Sequence, residues 1–297
     1  MADVTVGLLH PGEMGAALGS VLQVRGHVVL WTSSGRSAAT VGRAEVAGLR
    51  DAGTIDELAR RSDVIVSVCP PHAALEVARS VSGFDGVYVD ANAVSPDTSR
   101  AIEAIVEAGG AKYVDGGIIG GPPSATETTR LYLSGALAAQ VADLFRGTTV
   151  DARVLSERIG DASALKMTYS AWSKGTAALL LAIEAVARAE GVHAPLLDEW
   201  RDSVPELLER SERAARSAAR KGWRFAGEME QIASTFTAAD LPSGFHEAAA
   251  EVFRRSPRFD GAEADEATLE RVVSALELAG RHATGSPDGR TDLSSET

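Results

Sequence analysis

The rhythm of apolar positions changes once along this chain. Up to about residue 155, short apolar runs read as strands: VTVGLL (4–9), HVVLWT (27–32), DVIVSVCPP (63–71), GVYVDANAVSP (86–96) with a polar end, AKYVDGGIIGGPP (111–123) as strand plus loop, and TRLYLSG (129–135). Between them lie stretches of helical period, among them TIDELARRS, HAALEVARSV, TSRAIEAIVEAGG and ALAAQVADLFRG. Strands alternating with helices predict a parallel sheet covered on both faces. Beyond residue 156 only helical periods remain. They are GDASALKMTYSAWSKGTAALLLAIEAVARAEG (160–191), PLLDEW to KG (195–222), AGEMEQIASTF (226–236), GFHEAAAEVFRRS (244–256) and DEATLERVVSALELAG (265–280). The expected organisation is an α/β domain over 1–155, an all-helical domain over 156–282, and a polar, aperiodic tail over 283–297 expected to be disordered.

The stretch 160–191 is the joint between the two parts. Asp161 or Ser163 can cap its start, and Gly191 suits the left-handed position that ends a helix. Leu165, Tyr169, Trp172, Leu179, Ile183 and Val186 recur at helical steps, which predicts one helix roughly 45 Å long. Lys166 sits near its start, with Ser163, Ser170 and Ser173 on the same side. The chain has 29 Lys plus Arg, yet only Lys112, Lys166, Lys174 and Lys221 are Lys. An ammonium can exchange its proton at useful pH, whereas a guanidinium holds it. A solvated helix stripe is the plainer reading of Lys166.

Glycine spacing adds chemistry at the other end. After the first strand comes HPGEMGAALG, with Gly12, Gly15 and Gly19 in step, then a helix and a second strand. Strand, glycine turn, helix and strand within about 30 residues is the opening unit of a dinucleotide-binding fold. His10 stands where the first glycine of that fingerprint is usual. His10, Pro11, Gly12, Glu13, Met14 and Gly15 are therefore candidate cofactor contacts. The second strand ends in TSSGR and carries no acid to receive ribose hydroxyls. Thr32, Ser33, Ser34 and Arg36 suit a phosphate instead, so NADP is expected over NAD. Ligands of such sheets bind at the carboxyl ends of the strands, which gathers Cys69–Pro71, Asp90–Pro96 and Asp115–Pro123 around one cleft. Cys69 and Pro70 join the candidate cofactor contacts.

Composition narrows the field. A net charge of −12 argues against nucleic acid and anionic membranes as partners. One cysteine forms no internal disulfide and offers no metal-ligand spacing, so no metal is expected and a cytoplasmic location is the default. The LLLAI run is too short to span a membrane. Cys69 has no neighbouring base and reads as strand-end packing rather than a nucleophile, and His246 reads as a cap or packing residue. Arg130 and Arg224 can pair an anion, but a surface role is favoured for both.

In combination, GLLHPGEMG, DANAVSP, YVDGGIIGGPP with LYLSG, and GDASALKMTYS resemble the β-hydroxyacid dehydrogenase superfamily over residues 4–255. That superfamily includes 3-hydroxyisobutyrate and 6-phosphogluconate dehydrogenases. The resemblance implies a Rossmann-type domain joined by a long helix to a helical substrate and dimerisation domain. It implies hydride transfer between a nicotinamide and a small hydroxy acid or carbonyl, with Lys166 as general acid/base. Asn92 inherits a place beside nicotinamide and substrate. The substrate loop maps to Gly117, Ile119, Gly120 and Gly121, with Ile119 where the family has Ser. Ser170 stands where the family has Asn four residues after the Lys. The resemblance also implies a homodimer through the helical domain. Two alternatives are an imine reductase on the same scaffold, disfavoured because Lys166 is retained, and a non-catalytic cofactor sensor.

Overall fold

The computed structural model describes residues 4–124, 126, 128–259 and 267–283; the expected tail lies, from residue 284, outside them. Eight strands form one sheet: β1 (Thr5–Leu9), β2 (Val28–Trp31), β3 (Arg50–Asp51), β4 (Val64–Ser67), β5 (Val87–Asp90), β6 (Lys112–Ile119), β7 (Thr129–Ser134) and β8 (Val150–Ser156). Their order across the sheet is β3-β2-β1-β4-β5-β6-β7-β8. The first six therefore follow the doubly wound order in which the chain starts centrally and winds outward both ways.

Among the described residues six α-helices accompany the strands: α1 (Glu13–Val24), α2 (Ala38–Val46), α3 (Ile55–Arg61), α4 (Ala74–Arg79), α5 (Pro96–Ala108) and α6 (Ala138–Asp143). Alternate strand residues feed two cores. Val6, Leu8, Val29, Trp31, Val64 and Val66 pack with Leu18 and Leu22 of α1 on one face. Leu9, Leu30, Ile65, Tyr88 and Tyr113 pack with Leu58, Val77 and Ile102 of α3, α4 and α5 on the other. The period of two in the sequence thus resolves into two buried faces, as a doubly covered sheet requires.

One pairing departs from the expected parallel sheet. β7 runs antiparallel to β6, with Gly117 opposite Tyr132 and Ile119 opposite Arg130, and β8 is again parallel to β7. Only residues 120–128 link β6 to β7, and no helix lies among the described residues there. Parallel neighbours need a crossover, usually helical; a loop alone returns the chain antiparallel.

Among the described residues the remaining helices are α7 (Asp161–Ala189), α8 (His193–Ser203), α9 (Glu206–Ala238), α10 (Gly244–Arg255) and α11 (Leu269–Ala283). α7 is one unbroken helix of 29 residues. It ends as the sequence predicts: Gly191 has φ +71°, the Val192 amide donates to Ala187 O and the Gly191 amide to Arg188 O. Three expectations are corrected. The stretch 195–222 is not one helix, because the chain breaks at Val204 ahead of Pro205, between α8 and α9. The segments ending at Gly222 and beginning at Ala226 are not separate helices, because α9 runs 33 residues through Gly222 and Gly227. A Cβ at Gly222 would stand 3.3 Å from Phe253 O, so that glycine serves close helix packing, not a break. The apolar series on α7 is also not its inner face. Tyr169, Trp172, Leu179 and Val186 are exposed, while Ala162, Ser163, Met167, Ser170, Ala178, Leu181 and Glu184 are buried.

The chain divides into two compact units, one reaching to Ser173 and including Gly227–Glu247, the other made of the rest. Their border falls inside α7, whereas the change from mixed to all-helical structure falls between β8 and α7. In the first unit, Gln231 of α9 accepts from the Ser95 amide and Thr98 Oγ1 at the start of α5. In the second, Phe225 and Phe253 meet edge to face, and buried Glu184 lies 2.5 Å from His193.

Candidate active site

The strand ends of β2, β1, β4, β5 and β6 lie side by side, and each contributes to one edge of the first unit. At β1 the chain turns sharply at His10, whose φ of +67° is the left-handed conformation that the missing glycine would adopt freely. The Gly12 amide donates to His10 O, and α1 starts with no side-chain cap. A Cβ at Gly15 would lie 2.7 Å from His10 O, so only glycine lets the helix start so close to the turn. An uncapped helix start offers amides and a positive dipole end to an anion. Burial, with the nearby Arg36 charge, pushes His10 down to about 4, so the imidazole is neutral at pH 7. Its Nδ1 is buried and has no hydrogen-bond partner. Gly15→Ala should shift this turn, costing about 1–3 kcal/mol of stability, as overpacking does. Affinity for a dinucleotide, read by fluorescence titration, should fall with it; an unchanged Kd would separate the turn from the cofactor.

The phosphate-binding set expected after β2 is only partly assembled. Thr32 is buried and its hydroxyl donates to Gly53 O. Ser33 gives both its amide and its hydroxyl to Asp51, at 3.1 and 2.6 Å. Ser34 is exposed. Arg36 is half-buried, its Nε has no partner, and its charge is felt at His10 and Cys69. Asp51 escaped the sequence reading because it ends β3, outside the TSSGR loop. The Ser33 side-chain bond, with amides of Gly53 and Ser33, holds its carboxyl below the usual range. β3 pairs with β2, Trp31 opposite Asp51, so its last residue falls beside the β2 loop, a neighbourhood that no local sequence pattern encodes.

Asn92 is a brace between strand ends. Its Oδ1 accepts from the Cys69 amide at 2.5 Å and its Nδ2 donates to Ser67 Oγ, which commits the carboxamide that the resemblance placed beside nicotinamide. Its own amide donates to Asp90 Oδ1, and burial pushes the Asp90 carboxyl up to about 7. Cys69 is buried, and burial followed by the Asp90 charge pushes its thiol up to about 12, which makes it inert as a nucleophile. Pro70 precedes a single 3-10 turn, Pro71–Ala73. His246 packs its ring 4.2 Å from that of Phe236, a packing role.

Lys166 is set on β6. A Cβ at Gly117 would stand 2.7 Å from Ala162 O and 3.1 Å from Lys166 Cβ, so α7 lies backbone-close on the strand there. Lys166 is half-buried, whereas Ser170, one turn on, is fully buried. Ile119 is buried at the end of β6, and Gly120 follows with φ +119°. Gly121 O accepts from Thr129 Oγ1. Three strand spacings of about 4.8 Å separate the columns of His10 and Gly117, roughly 14 Å along the edge. One end of this edge thus carries a glycine turn with an open helix start, and the other an ammonium. An extended cofactor with anionic and reactive ends fits that arrangement.

Comparison with known proteins agrees. Residues 5–146 match the NAD binding domain of 6-phosphogluconate dehydrogenase, and 187–256 match a domain of unknown function. An uncharacterised 28.5 kDa protein of Methanothermus fervidus is 31% identical over 208 residues, 70% of this chain and 77% of that one. The chain belongs to the β-hydroxyacid dehydrogenase-like superfamily. This superfamily is one of NAD(P)-dependent dehydrogenases and reductases. Another member, the mitochondrial 3-hydroxyisobutyrate dehydrogenase of Drosophila melanogaster, is 28% identical over 140 residues, 46% of this chain and 43% of that one. A solved protein of unknown function, described as similar to 3-hydroxyacid dehydrogenases, superposes with TM-score 0.64 at 26% identity, covering 84% of this chain and 97% of that one. No helix among the described residues is long and apolar enough to cross a membrane.

Proposed function

We propose that this chain is an NADP-dependent oxidoreductase acting on a small hydroxy acid or carbonyl substrate, with Lys166 as general acid/base. The observation that carries the proposal is the seating of Lys166 over Gly117, at the same sheet edge as the glycine turn. His10 to Gly15 would hold the cofactor diphosphate, and the β4 and β5 ends, braced by Asn92, would support the nicotinamide. The nicotinamide, when bound, supplies or accepts the hydride. Lys166 protonates the developing alkoxide during reduction and takes the hydroxyl proton during oxidation. The amides of the loop at Gly120 and Gly121 orient the substrate's carboxylate or carbonyl, with Ile119 supplying an apolar wall.

The preference for NADP rests on Arg36, a half-buried cation whose Nε lacks a partner. Arg36→Ala should weaken NADPH binding by about 1–3 kcal/mol, as for a charged hydrogen bond, and leave NADH nearly unchanged. Equal losses for both cofactors would remove Arg36 from the 2′-phosphate site. Asp51 would then be the group that reads the ribose hydroxyls, and NAD the better cofactor.

The same reading includes a homodimer. Trp172 and Val186 are 61% and 62% exposed on α7, with Tyr169 and Leu179 close behind, and a second copy of the chain would cover such a stripe. The activity test is a panel with NADPH or NADP: 3-hydroxyisobutyrate and L-serine for oxidation, small oxo acids for reduction, and cyclohexanone with allylamine for C=N reduction. Turnover of a hydroxy or oxo acid supports the proposal. Turnover of the ketone–amine pair alone reassigns the chain to imine reduction, and cofactor binding without any turnover reassigns it to sensing.

A further inference from the structure

The start of α7 is not capped locally. Neither Asp161 nor Ser163 fills the role expected from the sequence: Asp161 accepts from Ser156 Oγ instead. The helix amides turn inward, onto the sheet. Asp115, in the middle of β6 and fully buried, takes five hydrogen bonds. Its Oδ1 accepts from Ser99 Oγ at 3.0 Å and Ser163 Oγ at 2.6 Å. Its Oδ2 accepts from Ser134 Oγ at 3.0 Å, the Gly160 amide at 3.1 Å and the Ser163 amide at 3.0 Å. Ser134 Oγ accepts in turn from the Ala162 amide at 3.1 Å. Side chains of β6 and β7 thus satisfy the amides of residues 160, 162 and 163.

We propose that Asp115 is the positioning residue for Lys166, acting through the first turn of α7. The inference rests on Lys166 being the proposed acid/base. Lys166 follows Ser163 by one turn and shares its face. Asp115 and Gly117 lie two apart on β6 and so share a face of the strand. The carboxylate grips the helix at its start, and Gly117 lets it down onto the strand three residues further along. These two attachments fix the height of α7 above β6 and its rotation, and with them the ammonium. The acceptor has to be a carboxylate. An Asn amide would turn donor hydrogens toward some of these five donors and leave buried helix amides unpaired. The position of the charge helps too, since an anion at a helix start is favoured by its dipole.

The test compares Asp115→Asn and Ser163→Ala with the wild type. Trace acetylation followed by peptide mass spectrometry reads all four lysines separately, and Lys112, Lys174 and Lys221 act as internal controls. The expected result is faster labelling of Lys166 alone and unchanged NADPH affinity. Turnover on the panel should be about 10- to 100-fold lower for Asp115→Asn, as for an acid/base displaced by up to an ångström. A smaller loss is expected for Ser163→Ala, which removes the 2.6 Å bond and carries the test if Asp115→Asn does not fold. In a Lys166→Met background, Asp115→Asn should cost no further turnover. Wild-type labelling of Lys166 in the folded variants, or an undiminished loss in the Lys166→Met background, overturns the inference. General faster labelling of all four lysines also overturns it, because the effect would then be loosening of the fold. Full activity of Lys166→Met itself instead overturns the proposed acid/base, while the labelling still decides whether Asp115 sets the position of the side chain.

Discussion

Lys166→Met is expected to fold, to bind NADPH with wild-type affinity, and to lose turnover by roughly 10²- to 10⁴-fold, the usual contribution of a positioned acid or base. Met keeps a similar length and helix propensity, so α7 itself is not disturbed. The attachment of α7 to β6 does not depend on the ammonium: the bonds to Asp115 come from Gly160 and Ser163, and the close approach at Gly117 involves Ala162 O and Lys166 Cβ. The change therefore removes the titrating group and leaves those attachments in place. One limb of the pH–rate profile should disappear with it. A solvated lysine on a connecting helix predicts a near-normal rate and profile, so the two readings separate in one experiment.

Gly117→Ala should be nearly as damaging, through geometry rather than chemistry. The added methyl would stand 2.7 Å from Ala162 O, and that atom is helix backbone, not the end of a pliable side chain. The first turn of α7 must rise from β6, against the Asp115 bonds that hold it down. A stability loss of about 1–3 kcal/mol follows, the usual cost of overpacking. Lys166 moves with the helix, and a displacement of about 1 Å is worth up to roughly 10² in rate. Cofactor affinity should hold, because the glycine turn lies three strands away. Gly42→Ala on α2 is the control: a Cβ there meets nothing within 4 Å. Wild-type turnover for a folded Gly117→Ala would show that the seat of Lys166 does not matter.

The parts of the fold legible from the sequence were those written in local pattern. Strand, glycine turn and helix at residues 4–24 follow from an apolar run and from Gly15, which has no alternative under His10 O. The end of α7 was legible because Gly191 and its Schellman bonds are contiguous in sequence. What was hidden is what the sheet brings together from afar. Asp51 reaches Ser33 across 18 residues, and Asp115 reaches Ser163 across 48. Strand composition does not record direction, so β7 was read as one more parallel strand. Periodicity gave α7 an apolar stripe but not its facing; the stripe at Tyr169, Trp172 and Val186 is exposed, and Ser163, Ser170 and Glu184 point inward. The sequence pattern ends one segment at Gly222 and opens another at Ala226, whereas α9 runs through both and Gly222 admits Phe253 O. In the site, Lys166 stands out by residue type and by its small polar neighbours Ser163, Ser170 and Ser173 on one helix face. The commitment of Asn92 to Cys69 and Ser67 depends on neighbouring strand ends, which no local pattern encodes.

Deuterium transfer tests the central claim most directly. NADPH carrying deuterium at C4 of the nicotinamide, on the face from which transfer occurs, is incubated with the wild-type chain and each carbonyl of the panel. Products are then weighed by mass spectrometry. The account predicts a product one mass unit heavier, labelled at the former carbonyl carbon, formed by the wild type and at least about 10²-fold more slowly by Lys166→Met. Tight binding of labelled NADPH with no deuterium in any product, or equal transfer by wild type and Lys166→Met, would contradict it.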